Sequence, residues 1–318
     1  MSAPFRWGIL GPGKIAHKFA HSLPFAQDAV LEAVASQTPG KAREFATEFR
    51  VPNAFNQYTE LLNSGLVDAV YIATTNQTHL ENILLAIEAD VPVLCEKPLT
   101  ASVAQTQLAL KAAKNRGIFL MEGLWSVFLP HIGQAWKWIE AGEIGTLLHV
   151  TGDFGYKAPD NMESRLFNPS LGGGVALDVG IYPISLFYKT LGPLEDISAT
   201  GTRARSGVDD HIVFQGNGKS GATFQGMVSF RMQSSVEAVF FGSEGSIRLS
   251  SQWLRPTSAV LKKGNAETVF APVVSGFGFQ FEANETMACI RSGLSQSAAW
   301  SHSDSLLVAS YIEQIQLF

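Results

Sequence analysis

The amino-acid sequence predicts an α/β protein, with an N-terminal doubly wound parallel sheet followed by an α+β domain that contains a large, mostly antiparallel open sheet. Two observations support this fold class. Up to residue 121, apolar segments of strand length alternate with helical patterns, as in repeated βα units. From Thr146 onward, strands recur at short intervals with few helices between them. We therefore expect two domains, residues 1–124 and 125–318, and the C-terminal helix is expected to pack back on the first domain.

Composition and charge exclude several functional classes. A formal net charge of -5 gives no basic surface of the kind that nucleic acids require. The apolar runs are shorter than the roughly 20 residues of a membrane span, and the N-terminus has no signal-peptide layout. We therefore expect a cytoplasmic protein that binds a small-molecule substrate and contacts neither nucleic acid nor membrane.

Subunit association and cysteine chemistry also follow from composition. Charged residues make up 16% of the chain and apolar residues 46%, which indicates a rather apolar surface or a large subunit interface. We expect a homodimer or homotetramer that pairs through the C-terminal sheet.

Cys95 and Cys289 are too few for a disulfide framework or a metal cluster, so each is expected to be a small buried residue and no metal site is predicted.

The chain begins with a strand, a glycine turn and a helix, in the order that a nucleotide site needs. Phe5 to Leu10 reads as a strand, and GPGKIA follows it at once. Gly11 permits the tight turn, and Gly13 lets backbone amides approach a pyrophosphate, with Lys14 and Ile15 opening the helix. A purely structural turn is the alternative. The position at the start of a repeated βα pattern favours a dinucleotide-binding Rossmann unit.

The end of the second strand, Val30 to Ser36, indicates which dinucleotide binds. A carboxylate at this point accepts a hydrogen bond from the ribose 2′-OH of NAD and repels a 2′-phosphate. The chain has no acidic residue here and carries Ser36, Gln37 and Lys41 instead. These groups favour NADP, although NAD stays possible. The alternative is that the hydroxyl groups only cap the next helix and that Lys41 is solvated.

The third predicted strand, Asp68 to Ala73, ends in a polar segment, TTNQTH. Polar side chains at a strand end are candidates for a binding site, and here they are Thr74, Asn76 and His79. Helix capping is an equally good explanation for such residues. The helices predicted around this strand are Lys41 to Phe49, Tyr58 to Ser64 and Leu80 to Ala89.

The most informative stretch is ADVPVLCEKPLT, residues 89–100. Val91 to Cys95 has the length and branched residues of a sheet-centre strand, and Pro98 ends it because proline has no N–H to donate. Ligands bind at the carboxyl ends of such strands, where this one presents Glu96 and Lys97. A solvated ion pair at a strand end is the alternative reading.

A helix over Ser102 to Arg116 and a strand over Gly117 to Met121 complete the first sheet. Trp125 follows, either as a wall of the substrate pocket or as a core aromatic. Phe154 and Phe279 are further aromatic candidates for that pocket. A helix around Phe128 to Ala141 leads into the second domain.

The second domain carries one unusual helical segment among its strands. Asp178 and Tyr182 lie four residues apart in an otherwise apolar stretch, which places a carboxylate and a phenol on one helix face. They either bond to each other in a core or share a substrate. The predicted strands are Leu147 to Tyr156, Asp196 to Thr202, Asp210 to Gln215, Ala222 to Phe230, Glu237 to Phe241 and Ser246 to Leu249, and the final helices are Phe279 to Arg291 and Ser303 to Gln314.

With GILGPGKIA, VLCEKPLT and LGGGVALDVGIYP in that order, the chain resembles the glucose-fructose oxidoreductase and inositol dehydrogenase family, written Gfo/Idh/MocA. MEGLWSVFLP and RLFNPSLGGG resemble its branch of dimeric dihydrodiol dehydrogenases and NADP-dependent xylose dehydrogenases. The resemblance implies an NAD(P)-dependent dehydrogenase that transfers hydride between a nicotinamide cofactor, with NADP favoured, and a hydroxyl group of a sugar, polyol or cyclic trans-diol. A non-catalytic dinucleotide-sensing regulatory protein of the same fold is the alternative.

The resemblance also implies roles for single residues. It places Gly11, Gly13 and Ile15 at the pyrophosphate, Gln37 and its neighbours at the ribose, and Asn76, His79, Glu96 and Lys97 along the nicotinamide side. Lys97, Asp178 and Tyr182 are the expected reacting groups. Many sugar-oxidising relatives carry a histidine where this chain has Tyr182, which argues against an inositol dehydrogenase.

The expected reacting groups suit the chemistry of alcohol oxidation. Hydride leaves the carbinol carbon only as the hydroxyl group loses its proton, so a base is needed. A lysine ammonium beside a phenol favours the phenolate, which makes Tyr182 the expected base with Lys97 as its partner. Asp178 is expected to orient the substrate or to keep Lys97 charged. Because all three are present, we expect an enzyme rather than a sensor.

Overall fold

The computed structural model describes residues 3–316 and divides into two compact units. Unit 1 comprises Met1–Trp125 and Val274–Leu306, and unit 2 comprises Ser126–Val273 and Leu307–Phe318. The strands are β1 Phe5–Leu10, β2 Ala29–Ala35, β3 Asn53–Phe55, β4 Ala69–Ile72, β5 Val93–Glu96, β6 Leu120–Gly123, β7 Leu147–Gly155, β8 Leu194–Arg203, β9 Asp209–Gly218, β10 Thr223–Ser229, β11 Ala238–Gly242, β12 Ser246–Leu249, β13 Ala259–Lys263 and β14 Ala266–Phe270. The α-helices are α1 Lys14–Ser22, α2 Lys41–Phe49, α3 Tyr58–Leu62, α4 His79–Glu88, α5 Val103–Arg116, α6 Pro130–Glu140, α7 Ile181–Leu191, α8 Phe279–Arg291 and α9 His302–Gln316.

Unit 1 is built on a six-stranded parallel sheet with the strand order β3-β2-β1-β4-β5-β6. The predicted doubly wound parallel sheet is therefore confirmed. The sequence did not predict β3, because three residues are too few to show a period-two pattern.

Strand alternation divides the apolar side chains of unit 1 between the two faces of its sheet. On one face, Val93 and Cys95 of β5 pack with Ile83 of α4 and Ala109 of α5. On the other face, the ring of Tyr71 stacks on Phe19 of α1, with centroids 3.9 Å apart. Helix α8 packs beside α1. The parallel sheet thus lies between two layers of helices.

Unit 2 is built on an eight-stranded sheet with the order β14-β13-β12-β11-β7-β10-β9-β8. Among the strand pairs of this sheet within the described residues, only β7–β10 is parallel, so the prediction of a mostly antiparallel open sheet is confirmed. The hairpin of β13 and β14 was not predicted. Its outer strand is largely exposed and reads AETVF, which lacks a buried apolar face.

Helix α7 covers one face of this sheet, where Phe187 stacks on Phe224 with centroids 5.0 Å apart. The helical stretch Pro169–Leu191 is long and apolar enough to cross a membrane by length and composition alone. However, 72% of its apolar window is buried inside the protein, which is the pattern of a core helix.

Candidate active site

The glycine turn of unit 1 is shaped to admit a ligand against its backbone. Gly11 has a φ of +85°, and a Cβ on it would lie 2.8 Å from Cγ2 of Thr74, so a side chain at this position is excluded. Gly13 forms the N-cap of α1 without any capping side chain. Lys14 is exposed and Ile15 is half-buried in the first turn of α1. These features leave the first backbone amides of α1 available to a phosphate group, as a pyrophosphate site requires.

The groups predicted at the ribose end differ in their availability. Ser36 is buried, and its Oγ accepts a hydrogen bond from the backbone N–H of Thr38 at 3.1 Å. Gln37 is exposed directly after β2. Lys41 is also exposed and forms an ion pair with Glu44 at 2.9 Å. Ser36 therefore shapes the turn, while Gln37 is the side chain presented to solvent.

The polar segment after β4 is held together by its own hydrogen bonds. Oγ1 of Thr74 accepts from Nδ2 of Asn82 at 3.1 Å, and Asn76 is buried in a short 3-10 turn. The ring of His79 is buried, with Nδ1 2.9 Å from the carbonyl oxygen of Pro98 and Nε2 3.2 Å from that of Thr74. Burial lowers the pKa of His79, which favours a neutral ring. His79 thus connects the loop after β4 to the loop that follows Lys97.

The end of β5 carries a buried carboxylate next to Lys97. Glu96 is 5% exposed, and its Oε2 accepts a hydrogen bond from the backbone N–H of Lys97 at 3.2 Å. Its Oε1 accepts a short hydrogen bond from the hydroxyl group of Tyr71. Burial raises the pKa of Glu96 to about 6, while the charge of Lys97 and the hydrogen bond from Tyr71 oppose that rise. Glu96 therefore fixes the backbone at Lys97 and supplies a negative charge beside it.

Glu122 is a residue of the site region that sequence reasoning missed. It is buried in β6, where Oε1 accepts from the backbone N–H of Leu99 at 2.7 Å and Oε2 accepts from Nε1 of Trp300 at 3.0 Å. Burial raises its pKa, opposed by hydrogen bonds from Ser305 and Trp300. Glu122 anchors the loop behind Lys97, and a carboxylate inside the buried strand LMEG was the signal that could have revealed it.

Two of the predicted aromatic residues pack on each other in unit 1. The rings of Trp125 and Phe279 are stacked, with centroids 4.7 Å apart and planes 6° from parallel. Both are buried, at 8% and 1% exposure. The pair therefore forms a rigid aromatic plate just after β6, in which Trp125 is the more accessible ring.

Unit 2 gathers polar groups around Asp178, which lies in the π-helical turn Ala176–Gly180. Nη1 of Arg165 donates to Oδ1 of Asp178 at 3.0 Å, and the hydroxyl group of Tyr156 donates to Oδ2 at 3.3 Å. Burial, together with the charge of Asp178, raises the pKa of Tyr156. Neither Arg165 nor Tyr156 was selected from the sequence. They hold the carboxylate in place and neutralise its charge in part.

Tyr182 lies in the first turn of α7 and is 7% exposed. The ring of Phe154, the third predicted pocket aromatic, lies 5.7 Å from the ring of Tyr182 and 6.0 Å from that of Tyr156. The structure thus brings Phe154, Asp178 and Tyr182 into one part of unit 2, where Tyr156 links the aromatic rings to the carboxylate.

Gly173 and Gly174, which precede Asp178, allow the chain to pack closely where Asp178 is positioned. A Cβ on Gly173 would lie 2.8 Å from the carbonyl oxygen of Leu166, and one on Gly174 would lie 2.7 Å from Oδ1 of Asp209. Oδ2 of Asp209 accepts from the backbone N–H of Ala176 at 2.6 Å and so caps the helical segment. Asp209 was not predicted, because it comes from β9 and its role depends on tertiary packing.

The predicted site residues therefore fall into two sets. The residues predicted to bind the dinucleotide lie in unit 1, together with Lys97, Trp125 and Phe279. Asp178, Tyr182 and Phe154 lie in unit 2. The joint action of Lys97 with Asp178 and Tyr182 stays a prediction.

Comparison with known proteins agrees with these two units. The family model GFO_IDH_MocA, described as an oxidoreductase family with an NAD-binding Rossmann fold, matches residues 5–124. The GFO/IDH/MocA C-terminal domain model matches residues 132–248.

Individual relatives match over nearly the whole chain. Trans-1,2-dihydrobenzene-1,2-diol dehydrogenase of Danio rerio is 33% identical over 97% of this chain and 95% of its own length. The Homo sapiens protein of that name is 30% identical over 98% of this chain and 96% of its own. The structure of aldose-aldose oxidoreductase from Caulobacter crescentus complexed with glycerol covers 98% of this chain and 96% of that chain, at a TM-score of 0.88 and 25% identity. Levoglucosan dehydrogenase in complex with NADH and levoglucosan shares the fold over 98% of this chain and 96% of that chain, at a TM-score of 0.86 and 21% identity.

The glycine turn fits a nicotinamide dinucleotide because the side of Gly13 is open: only the carbonyl oxygen of Ala73, at 3.9 Å, lies within 4 Å of the place that a Cβ would take, and no side chain caps α1. The family models cover both units, and the relatives extend over almost the full length. The chain therefore belongs to the Gfo/Idh/MocA family of NAD(P)-binding oxidoreductases.

Proposed function

We propose that the protein is a dehydrogenase that prefers NADP and oxidises a hydroxyl group of a sugar, a polyol or a cyclic trans-diol. The proposal rests on the position of Lys97 at the end of β5. The buried carboxylate of Glu96 holds the backbone of Lys97 there, and Lys97 belongs to the same unit as the open glycine turn. The presence of Lys97, Tyr182 and Asp178 in the chain supports an enzyme over a non-catalytic sensor.

The reaction needs a hydride acceptor and a path for one proton. When bound, the oxidised nicotinamide supplies the acceptor for hydride from the carbinol carbon. Tyr182, acting as the phenolate, takes the hydroxyl proton as hydride leaves the carbinol carbon, and Lys97 stabilises the negative charge on the substrate oxygen until its electron pair forms the C=O bond. Asp178, held by Arg165 and Tyr156, orients the substrate. The products are the ketone or lactone and the reduced dinucleotide.

The substrate class is supported by the relatives together with the residues of this chain. The Danio rerio relative is named for trans-1,2-dihydrobenzene-1,2-diol, and the Caulobacter crescentus protein is named for aldoses. Tyr182 and Phe154 form an aromatic surface in unit 2 that can take the flat face of either ring type. We therefore expect a vicinal diol on a ring as the shared element of its substrates.

A spectrophotometric screen tests the proposal directly. Nicotinamide reduction is followed with NADP and with NAD in parallel against glucose, xylose, inositol and trans-1,2-dihydrobenzene-1,2-diol. Turnover with NADP on any of these supports the proposal. Tight dinucleotide binding without turnover on any ring diol would instead favour a non-catalytic dinucleotide sensor.

The preference for NADP predicts the effect of Gln37→Asp. Gln37 is exposed after β2, so a carboxylate there faces the ribose 2′ position and repels the 2′-phosphate. We expect the KM for NADP to rise by about 10-fold or more, while the KM for NAD stays constant or falls. Steady-state kinetics with both dinucleotides measure this change. Gln37→Asn is the neutral control, and an equal loss for both dinucleotides in Gln37→Asp would contradict the proposed contact.

We further propose that the protein forms a homodimer or homotetramer through the uncovered face of the unit 2 sheet. That face carries Val213, Met227 and Val239 around a shallow depression of ≈ 410 Å³, and Phe241 beside it is 42% exposed. We expect light scattering to give a mass two or four times 34.3 kDa. A double Met227→Lys, Val239→Lys variant should dissociate, because buried charges at an interface are costly. A wild-type monomer at micromolar concentration would refute this proposal.

A further inference from the structure

Glu282 is a buried carboxyl group for which the proposed reaction has no use. It lies on α8 with 0% exposure, and neither of its oxygens has a hydrogen-bond partner among residues 3–316. Burying an ionised carboxylate without partners is very costly, and even a neutral polar group is costly there. Perturbed carboxyl groups of this kind concentrate at functional sites, so the location of Glu282 is informative.

The carboxyl group of Glu282 lies against the end of β5 that presents Lys97. Its Oε2 is 3.5 Å from the position that a Cβ on Gly123 would occupy, and that same position is 3.5 Å from Cα of Glu96. Gly123 and Glu96 are paired neighbours in the sheet. The absence of a side chain at Gly123 thus leaves the space in which Oε2 of Glu282 lies beside the backbone of Glu96.

The two carboxyl groups have unequal surroundings. Glu96 accepts hydrogen bonds from the Tyr71 hydroxyl group and from the backbone N–H of Lys97, whereas Glu282 accepts none from the described residues. Two carboxylates that share an apolar environment do not both ionise, and the better hydrogen-bonded one keeps the charge. Burial followed by the charge of Glu96 raises the pKa of Glu282 well above its usual range.

We propose that Glu282 is a positioning residue that carries the proton of a Glu96–Glu282 pair. The pair then holds a single negative charge, on Glu96. The neutral carboxyl group of Glu282 is the polar neighbour that keeps Glu96 ionised beside Lys97. The part that concerns Lys97 rests on the proposed function. The protonation of Glu282 does not, because it follows from the geometry of unit 1 alone.

Other titratable groups near the pair come from each neighbouring strand. Tyr71 lies on β4, Cys95 precedes Glu96 on β5, and Lys97 follows directly after the strand. Glu122 of β6 raises the pKa of Glu96 slightly, but its oxygens are engaged by Leu99 and Trp300. The buried residues of α1, which packs against α8, are uncharged, namely Ala16, Phe19, Ala20 and Ser22. The basic residues of α1, Lys14, His17, Lys18 and His21, lie outside this buried set.

Urea unfolding as a function of pH tests the protonation of Glu282 without any substrate. The pKa of Glu282 is raised in the folded protein above its ordinary value of 4.5, so the folded state binds the extra proton and loses stability as pH rises above that value. Both Glu282→Gln and Glu282→Met remove this proton. We expect the unfolding equilibrium constant of the wild type, relative to either variant, to rise by up to about tenfold for each pH unit above the ordinary carboxyl pKa of 4.5, until the folded-state pKa is passed.

Thr286→Val is the matched control for this measurement. Thr286 lies on the same helix, is also fully buried and has a hydroxyl group without a partner, but it does not titrate. Its stability difference from wild type should be the same at every pH. A pH-independent difference for both Glu282 variants would show that Glu282 holds no proton and would overturn the proposal.

The kinetic test separates positioning from a purely structural role. In Glu282→Met, Glu96 has lost its polar neighbour, so its pKa should rise from about 6 and the acid limb of the kcat profile should move to higher pH by about one unit. In Glu282→Gln, the acid limb of the kcat profile should lie closer to that of the wild type than in Glu282→Met, because the amide is neutral and polar. Coincident acid limbs in the two variants and the wild type would refute the link to Glu96. Absence of turnover in the wild type would count against the proposed function, while the urea measurement still decides the protonation of Glu282.

Discussion

Replacing Lys97 by methionine is expected to lower kcat by about 10³-fold or more, with the dissociation constant for NADPH within about threefold of wild type. Methionine retains most of the unbranched stem of lysine and removes only the ammonium group. The hydrogen bond from the backbone N–H of residue 97 to Glu96 is unaffected by the change, so the loop keeps its anchor. Nicotinamide absorbance measures kcat, and fluorescence titration measures NADPH affinity.

Lys14→Met is the matched control for this variant. Lys14 is exposed in the first turn of α1, next to the glycine turn predicted to hold the pyrophosphate. Its loss should weaken NADPH binding by about 10-fold and leave kcat nearly unchanged. If Lys97→Met instead lost NADPH binding and retained kcat, Lys97 would be a dinucleotide ligand and its proposed part in the chemistry would be wrong.

The parts of unit 1 that sequence reasoning identified are those with a local cause. A strand, a glycine turn and a helix follow one another within about 15 residues at Gly11, and this pattern requires no knowledge of the rest of the fold. The same is true of Lys97, which a short apolar strand and a proline mark from both sides. The six parallel strands were predictable for the same reason, apart from the three-residue β3.

The residues that sequence reasoning missed depend on contacts between segments far apart in the chain. Glu282 meets Glu96 only because α8 returns to the first sheet. Asp209 caps the helical segment before Asp178 from a different strand. Arg165 reaches Asp178 from an irregular loop. No periodicity marks such residues, since each side chain is ordinary in its own local sequence.

The π-helical turn shows a second limit of local reasoning. An ideal α-helix predicts that Asp178 and Tyr182 share one face, but Ala176–Gly180 is wound as a π-helix before α7 begins. Such turns are frequent at functional sites. Here the turn is bounded by the glycine run and by Asp209, so its geometry is set by tertiary packing rather than by helix propensity.

Tyr182→Phe is expected to lower kcat by about 10²-fold to 10³-fold, because it removes the group proposed to take the hydroxyl proton. The phenyl ring keeps the packing against Phe154, where the two rings lie 5.7 Å apart, so the folded unit should be preserved. The loss should appear in kcat and in kcat/KM alike, since the proton moves only in the transition state. Steady-state kinetics with NADP and a ring diol measure the effect.

Two tyrosines of unit 2 provide graded controls for this prediction. Tyr188→Phe changes a residue of α7 whose ring packs near Tyr311, so its kinetics should match the wild type. Tyr156→Phe removes one hydrogen bond to Asp178 while Arg165 still holds that carboxylate, so a loss of about 3-fold to 10-fold is expected. If Tyr156→Phe lowered kcat as much as Tyr182→Phe, the order of the two roles would be reversed. Tyr156, whose phenol lies beside Asp178, would then move the proton in place of Tyr182.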